Sequence, residues 1–133
     1  MYPFYRMSRD KEESALQNMK VSIMGVTYNI LFVDEYPERL RSIGEYASGL
    51  CNRNEREIYI QRCKDEDLTE HGRQRSMKNT LRHEILHAYL EESGLSANSN
   101  STVTWAQNEE MVEWFSIQAP KIYMTYMEVG CLD

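Results

Sequence analysis

Val26, Tyr28, Ile30 and Phe32 fall on alternate positions, the period of a strand with one buried face. Asp34-Glu35-Tyr36-Pro37 ends the run, because proline cannot extend a hydrogen-bonded ladder. Pro37 is placed to start a short helical turn through Leu40 and Ile43. Leu50-Cys51, then Asn52-Arg53-Asn54-Glu55, then Arg56 to Arg62 reads as strand, turn, strand, with Ile58 and Ile60 on one side. Asn52 and Asn54 supply the turn chemistry. The first half is therefore expected to form a small, mostly antiparallel sheet.

The second half has helical spacing. A helix starting between Thr69 and Ser76 should run to about Ser93, with Gly94 as a left-handed cap. Gly94 to Thr104 reads as a polar loop, and a second helix should cover Trp105 to Ala119. Pro120 is expected to break or restart that helix, after which Ile122, Tyr123, Tyr126, Met127 and Val129 keep helical spacing up to Gly130. Residues 1–18 read as an N-terminal extension or loose helix, and residues 19–133 as a single domain.

Composition narrows the function classes. The 133 residues are 41% hydrophobic and 27% charged, ordinary for a globular chain. A net charge of −6 argues against a nucleic-acid binder, which needs a basic surface to neutralise phosphates. Arg73, Arg75, Lys78 and Arg82 cluster, and on a helix such a cluster reads as a solvated face. Cys51, Cys63 and Cys131 are odd in number and widely spaced, the pattern of free thiols in a reducing compartment. No apolar run approaches the ~20 residues that span a bilayer, and no signal-peptide layout opens the chain. A cytoplasmic protein without membrane or nucleic-acid partners is expected.

The chemistry lies in His83-Glu84-Ile85-Leu86-His87. Histidines four apart on a helix differ by about 40° of rotation and one turn of rise, so both rings reach one metal ion. The intervening glutamate stands about 100° further round, away from a ligand's position but close to a metal-bound water. This is why HExxH recurs in zinc peptidases, with two imidazoles on the ion and the glutamate taking the water's proton. Met77, Leu81, Ile85, Leu86, Ala88, Tyr89 and Leu90 cover more than half of the helix circumference, so the helix should be mostly buried. Burying His83, Glu84 and His87 together on the remaining face would be costly without a divalent ion to satisfy them.

A catalytic zinc needs a third protein ligand and an open position. The HExxHxxGxxH solution is excluded, since Leu90 stands in place of the glycine and Ser93 in place of the third histidine. A glutamate from the following helix is the other common solution, and Glu109, Glu110 and Glu113 offer it. Glu109 and Glu113, four apart, share a face, so one can bind metal while the other orients a ligand histidine. Glu110 is the rival ligand, because a one-residue change of helix phase exchanges it with Glu109.

The run from Thr80 to Gly94, followed by Asn108-Glu109 through Glu113-Trp114 and then Pro120, resembles gluzincin-type HExxH metallopeptidases. More narrowly, it resembles the short ImmA/IrrE-like proteins of phages and other mobile elements. The resemblance covers residues 74–122, while the hairpin at 50–62 fits that family's sheet in outline only. It implies an α+β, zincin-like fold: a small sheet on the HExxH helix, followed by a C-terminal helix carrying the third ligand. It also implies Zn²⁺ on His83, His87 and Glu109, Glu84 as general base, and Glu113 as the acid orienting a ligand histidine. The implied activity is cleavage of a regulatory protein such as a phage-type repressor. Glu110 and Trp114-Phe115 depart from the small residue and Phe-Ala pair common in that family, which blurs the register of the third ligand.

Three further expectations follow. An oxyanion partner could come from His71, Tyr89, Tyr123 or Tyr126, with His71 read as structural or exposed. The strand Glu57 to Gln61, if at the sheet edge beside the HExxH helix, would pair with an extended substrate. The alternative to a peptidase is a regulatory protein-binding module that keeps the zinc site structurally, with Trp105 and Trp114 near the contact.

Overall fold

The computed structural model describes residues 16–44, 47–98 and 109–132. Strand β1 (Met19–Ile23) turns back into β2 (Val26–Val33) through Met24 and Gly25, both at positive φ, 52° and 82°. Two left-handed residues in a two-residue loop match the twist of paired strands, which is why this hairpin closes so tightly. The β1 half of the hairpin was not apparent in the hydrophobic pattern. A 3-10 turn (Glu38–Leu40) and the short helix α1 (Arg41–Gly44) follow, then β3 (Gly49–Asn52) and β4 (Glu57–Gln61).

The sheet order is β1-β2-β4-β3. Both hairpins are antiparallel, but β2 and β4 pair in parallel, with Ile30 beside Ile58 and Phe32 beside Ile60. The sheet is therefore mixed, not the mostly antiparallel one expected. Because β3 runs opposite to β2 and β4 turns back between them, β4 meets β2 in parallel. This order also overturns the expected edge position of Glu57–Gln61: β4 lies between β2 and β3, and β3 is the edge.

Helix α2 (Glu70–Glu92) begins at Thr69, whose hydroxyl accepts from the Gly72 amide at 3.0 Å. It ends before Gly94, at φ 80° as the cap requires. A short helix α3 (Leu95–Asn98) occupies part of the expected loop. Helix α4 (Glu109–Val129) runs through Pro120 without interruption. Pro120 faces solvent, where the carbonyl it leaves without a donor can be hydrated, so the helix continues. Trp105, the expected start of this helix, lies outside the described residues.

Val21, Ile23, Tyr28, Ile30, Ile58 and Ile60 line one sheet face and pack against Met77, Leu81, Ile85 and Ala88 of α2 and Ile122 and Val129 of α4. On the other face Tyr36, Leu40 and Tyr59 form a smaller cluster with Leu31, Val33 and Leu50. The fold is thus α+β, with one main core between a four-stranded sheet and two long helices. Leu16 packs on that core, and Asn18 Oδ1 accepts from the Phe32 amide at 2.8 Å.

The basic cluster is not the solvated face expected of it. Lys78 is buried, and Arg82 donates to the Cys131 carbonyl. Arg73 donates to the carbonyls of Asp65 and Leu68 around the start of α2. Among the described residues, no helix is long and apolar enough to cross a membrane.

Candidate metal centre

Edge strand β3 lies against α2, and Gly49 is a point of close approach. A β-carbon on Gly49 would stand 2.6 Å from Thr80 Cγ2, 2.9 Å from Glu84 Cγ and 3.2 Å from Glu84 Oε1. Thr80 and Glu84, four apart, share the helix face under the strand. Neither Gly49 nor Thr80 was singled out from sequence. A glycine inside a strand does mark a close backbone approach, and that signal was present. Gly49→Ala is expected to force β3 off α2 at a cost of about 1–3 kcal/mol, the range for overpacking. Thermal melting of the variant checks this, and a melting temperature equal to the native one would show that the strand yields freely.

Glu84 is only 7% exposed, and no hydrogen bond or ion pair to its carboxylate is seen among the described residues, although its oxygens are not shut off from solvent. Burial pushes its pKa up from the ordinary carboxylate value, with His83 pulling the other way. The same carboxylate contributes to raising the Cys51 thiol and the Tyr36 phenol, each to about 12, after burial as the main cause in both.

His83 and His87 stand on the exposed face beside it, so only Glu84 of the three is buried, contrary to the expectation that all would be. Their Nε2 atoms are 3.1 Å apart and their ring centroids 4.8 Å apart. Two imidazole nitrogens on one tetrahedral zinc, at about 2.0–2.1 Å each, are separated by roughly 3.3 Å. The 3.1 Å spacing is compatible with a shared ion, and it is also that of an N–H···N hydrogen bond between two neutral rings. Burial lowers the pKa of His87, His83 lowers it further, and Glu91 partly offsets both. A lowered pKa keeps the ring neutral, the form that binds metal. Glu91, one turn beyond His87, is itself engaged by Arg53 at 3.1 Å and Ser96 at 3.1 Å.

The seam between α2 and α4 shows where the third ligand would have to come from. Trp114 Nε1 donates to Ser93 Oγ at 2.9 Å, Tyr89 Oη lies 2.5 Å from Thr125 Oγ1, and Tyr126 donates to the Arg82 carbonyl at 2.8 Å. The helices therefore run antiparallel. Ser93 lies six residues beyond His87, about 9 Å of helical rise. The start of α4, at Glu109 and Glu110, is a further turn back from Trp114, toward the C-terminal end of α2 and not opposite the histidines. The side chains of Glu109, Glu110 and Glu113 lie outside the described part. Among the described residues, no three His, Cys, Asp or Glu side chains converge on a metal position.

The oxyanion candidates sort clearly. Tyr89 and Tyr126 spend their hydroxyls on the helix seam, Tyr123 is 49% exposed on α4, and His71 is exposed in the first turn of α2. Cys51, Cys63 and Cys131 are free thiols.

Comparison with protein-family models, with curated proteins and with solved structures finds no match to this chain.

Proposed function

We propose that this chain is a zinc-dependent peptidase of the HExxH type, resembling the short ImmA/IrrE-like proteins. The observation that carries the reading is the convergence of His83 and His87 Nε2 at 3.1 Å beside a buried carboxylate without a partner among the described residues. These groups fit the ion: two neutral imidazoles offer nitrogen ligands at a compatible separation, and the Glu84 carboxylate beside them makes no hydrogen bond among the described residues while its oxygens still reach solvent.

Bound zinc would supply Lewis acidity, lowering the pKa of a bound water toward neutrality and polarising the substrate carbonyl. Glu84, its basicity raised by burial, takes a proton from the attacking water and passes it to the leaving amine. Gly49 lets β3 pack directly against that side chain. The edge of β3, unpaired among the described residues, and not β4, then offers backbone groups to an extended substrate lying across the histidines. The substrate class is a peptide or protein, such as a phage-type repressor, and the three free thiols support a reducing compartment such as the cytoplasm. In this reading a carboxylate from the start of α4 completes the site, Glu109 by the resemblance or Glu110 by a shift of phase, with Glu113 orienting a histidine.

A second reading is a protein-binding module that retains the histidine pair without turnover. The antiparallel seam favours it, because Trp114–Ser93 holds the acidic turn of α4 away from the histidines. Zinc content and hydrolysis of a denatured protein and a repressor substrate, measured on the same preparation, separate the two. The peptidase reading expects about one zinc per chain, as the site demands, together with turnover removed by chelation and restored by zinc. Stoichiometric zinc without cleavage of either substrate selects the binding module.

A further inference from the structure

Beside the Glu84 niche, a cavity of about 570 Å³ opens between the loop after β4 and the N-terminal half of α2. Its floor is the buried Met77 with Cys63 and Ala47, and its wall nearest the site is Thr80, one turn before Glu84. Ser48, the residue before Gly49, forms the rim on the β3 side. The cavity thus lies beside the contact between β3 and α2. A peptide extended along β3 advances about 3.3 Å per residue and points alternate side chains the same way. One side chain near the bond at the histidines is therefore carried over this opening.

We propose that this cavity receives a lysine or arginine side chain of the substrate. The inference rests on the peptidase reading for the reaction, but not for the binding. Five charged side chains line the opening: Asp34, Glu35 and Asp65 against Arg62 and Lys64, a formal sum of −1. Both cations already have a contact at the exposed rim. Lys64 pairs with Asp34 at 3.4 Å, and the Arg62 guanidinium lies 5.8 Å from the centre of the Phe32 ring. Asp65 has no cation on its carboxylate among the described residues; its Oδ1 accepts only the Asp67 amide, at 2.9 Å. Glu35 pairs with Arg41 at 3.3 Å in an equally exposed contact, so neither pair fixes its carboxylate firmly. A long side chain with an apolar stem and a cationic tip matches an apolar floor with carboxylates at its mouth. An acidic side chain would meet a net negative wall on a chain of net charge −6.

The test uses zinc-loaded, isotope-labelled Glu84→Gln protein and three series of blocked hexapeptides, alanine throughout except for one lysine, glutamate or norleucine, moved through each position. Backbone amide shifts report the binding site. The expected result is perturbation of Ser48, Asp65 and Thr80 by the lysine series, with one position bound about fivefold tighter than norleucine, the worth of one partly solvated ion pair. Asp65→Asn, which keeps the acceptor for the Asp67 amide, should erase that preference while the norleucine peptide binds as before. Equal binding of the lysine and glutamate series, or shifts confined to other residues, overturns the proposal. Preserved lysine-specific shifts with no cleavage of the same peptide by the native protein uphold the cavity's role and remove the peptidase reading instead.

Discussion

Replacing Glu84 by glutamine is expected to lower peptide hydrolysis by about 10²–10⁴-fold, the range for loss of a general acid–base group, while zinc content stays near that of the native chain. The amide has the shape of the carboxylate and fits the same niche under Gly49, but it cannot accept the water's proton. Because Glu84 is not a ligand in this arrangement, the histidine pair should bind the ion as before. Equal turnover by the native chain and the Glu84→Gln variant would remove Glu84 as the base. Loss of zinc together with activity would make it a ligand.

The same substitution has a stability readout that needs neither metal nor substrate. Glu84 is buried without a donor among the described residues, and burial raises its pKa above the value it has in the unfolded chain. The folded state then binds more protons than the unfolded state between those two values, so stability falls as pH rises through that interval. The contribution is fully present below the ordinary carboxylate pKa and is lost once pH passes the raised one. Metal-free native protein should therefore melt at progressively lower temperature as pH rises from about 4 toward neutrality, relative to the Glu84→Gln variant. At neutral pH the variant should be the more stable of the two. A constant difference across that range would show that the carboxylate is solvated in the folded protein.

Much of this architecture was legible in the chain. Alternation from Val26 to Phe32 marks β2, Asn52 and Asn54 mark the turn between β3 and β4, and Thr69 and Gly94 bracket α2. These signals are local: side-chain period, turn chemistry and caps. Strand β1 escaped because MKVSI is too short and mixed to show a period, and its pairing is fixed by the left-handed Met24-Gly25 turn. Sheet order was not legible either, since parallel pairing of β2 with β4 depends on how two hairpins dock and not on either one. Pro120 misled because its cost depends on exposure, which the sequence does not state. At the site, His83, Glu84 and His87 were placed by spacing alone. The narrowness of the Glu84 niche came only with Gly49 and Thr80, which lie 31 residues apart. The reach of Glu109, Glu110 and Glu113 depends on the register of α4 against α2, set by tertiary contacts such as Trp114 to Ser93.

Removing either histidine is expected to have the largest effect on metal binding, and the three glutamates then decide whether the site can turn over. His83→Ala and His87→Ala should each abolish stoichiometric zinc binding, since each removes one of two nitrogens held 3.1 Å apart. Glutamine at Glu109, Glu110 and Glu113 in turn separates a ligand from a group that orients one. An outer partner of a ligand histidine costs about 10–100-fold in metal affinity, and loss of a direct ligand should exceed that. The peptidase reading expects one replacement, Glu109→Gln by the resemblance, to fall by more than about 100-fold, and Glu113→Gln to fall within the roughly 10–100-fold band. Direct titration of zinc against a competing chelator measures all five variants on one scale. For the start of α4 to supply that ligand, it must lie nearer the histidines in the loaded protein than Trp114–Ser93 holds it, so Trp114 emission should change on adding zinc and should not change in His87→Ala. If all three glutamine variants bind zinc as the native chain does, two histidines are the whole protein contribution. Water activation by Glu84 would then lack the ion geometry it needs, and the binding-module reading would stand in its place.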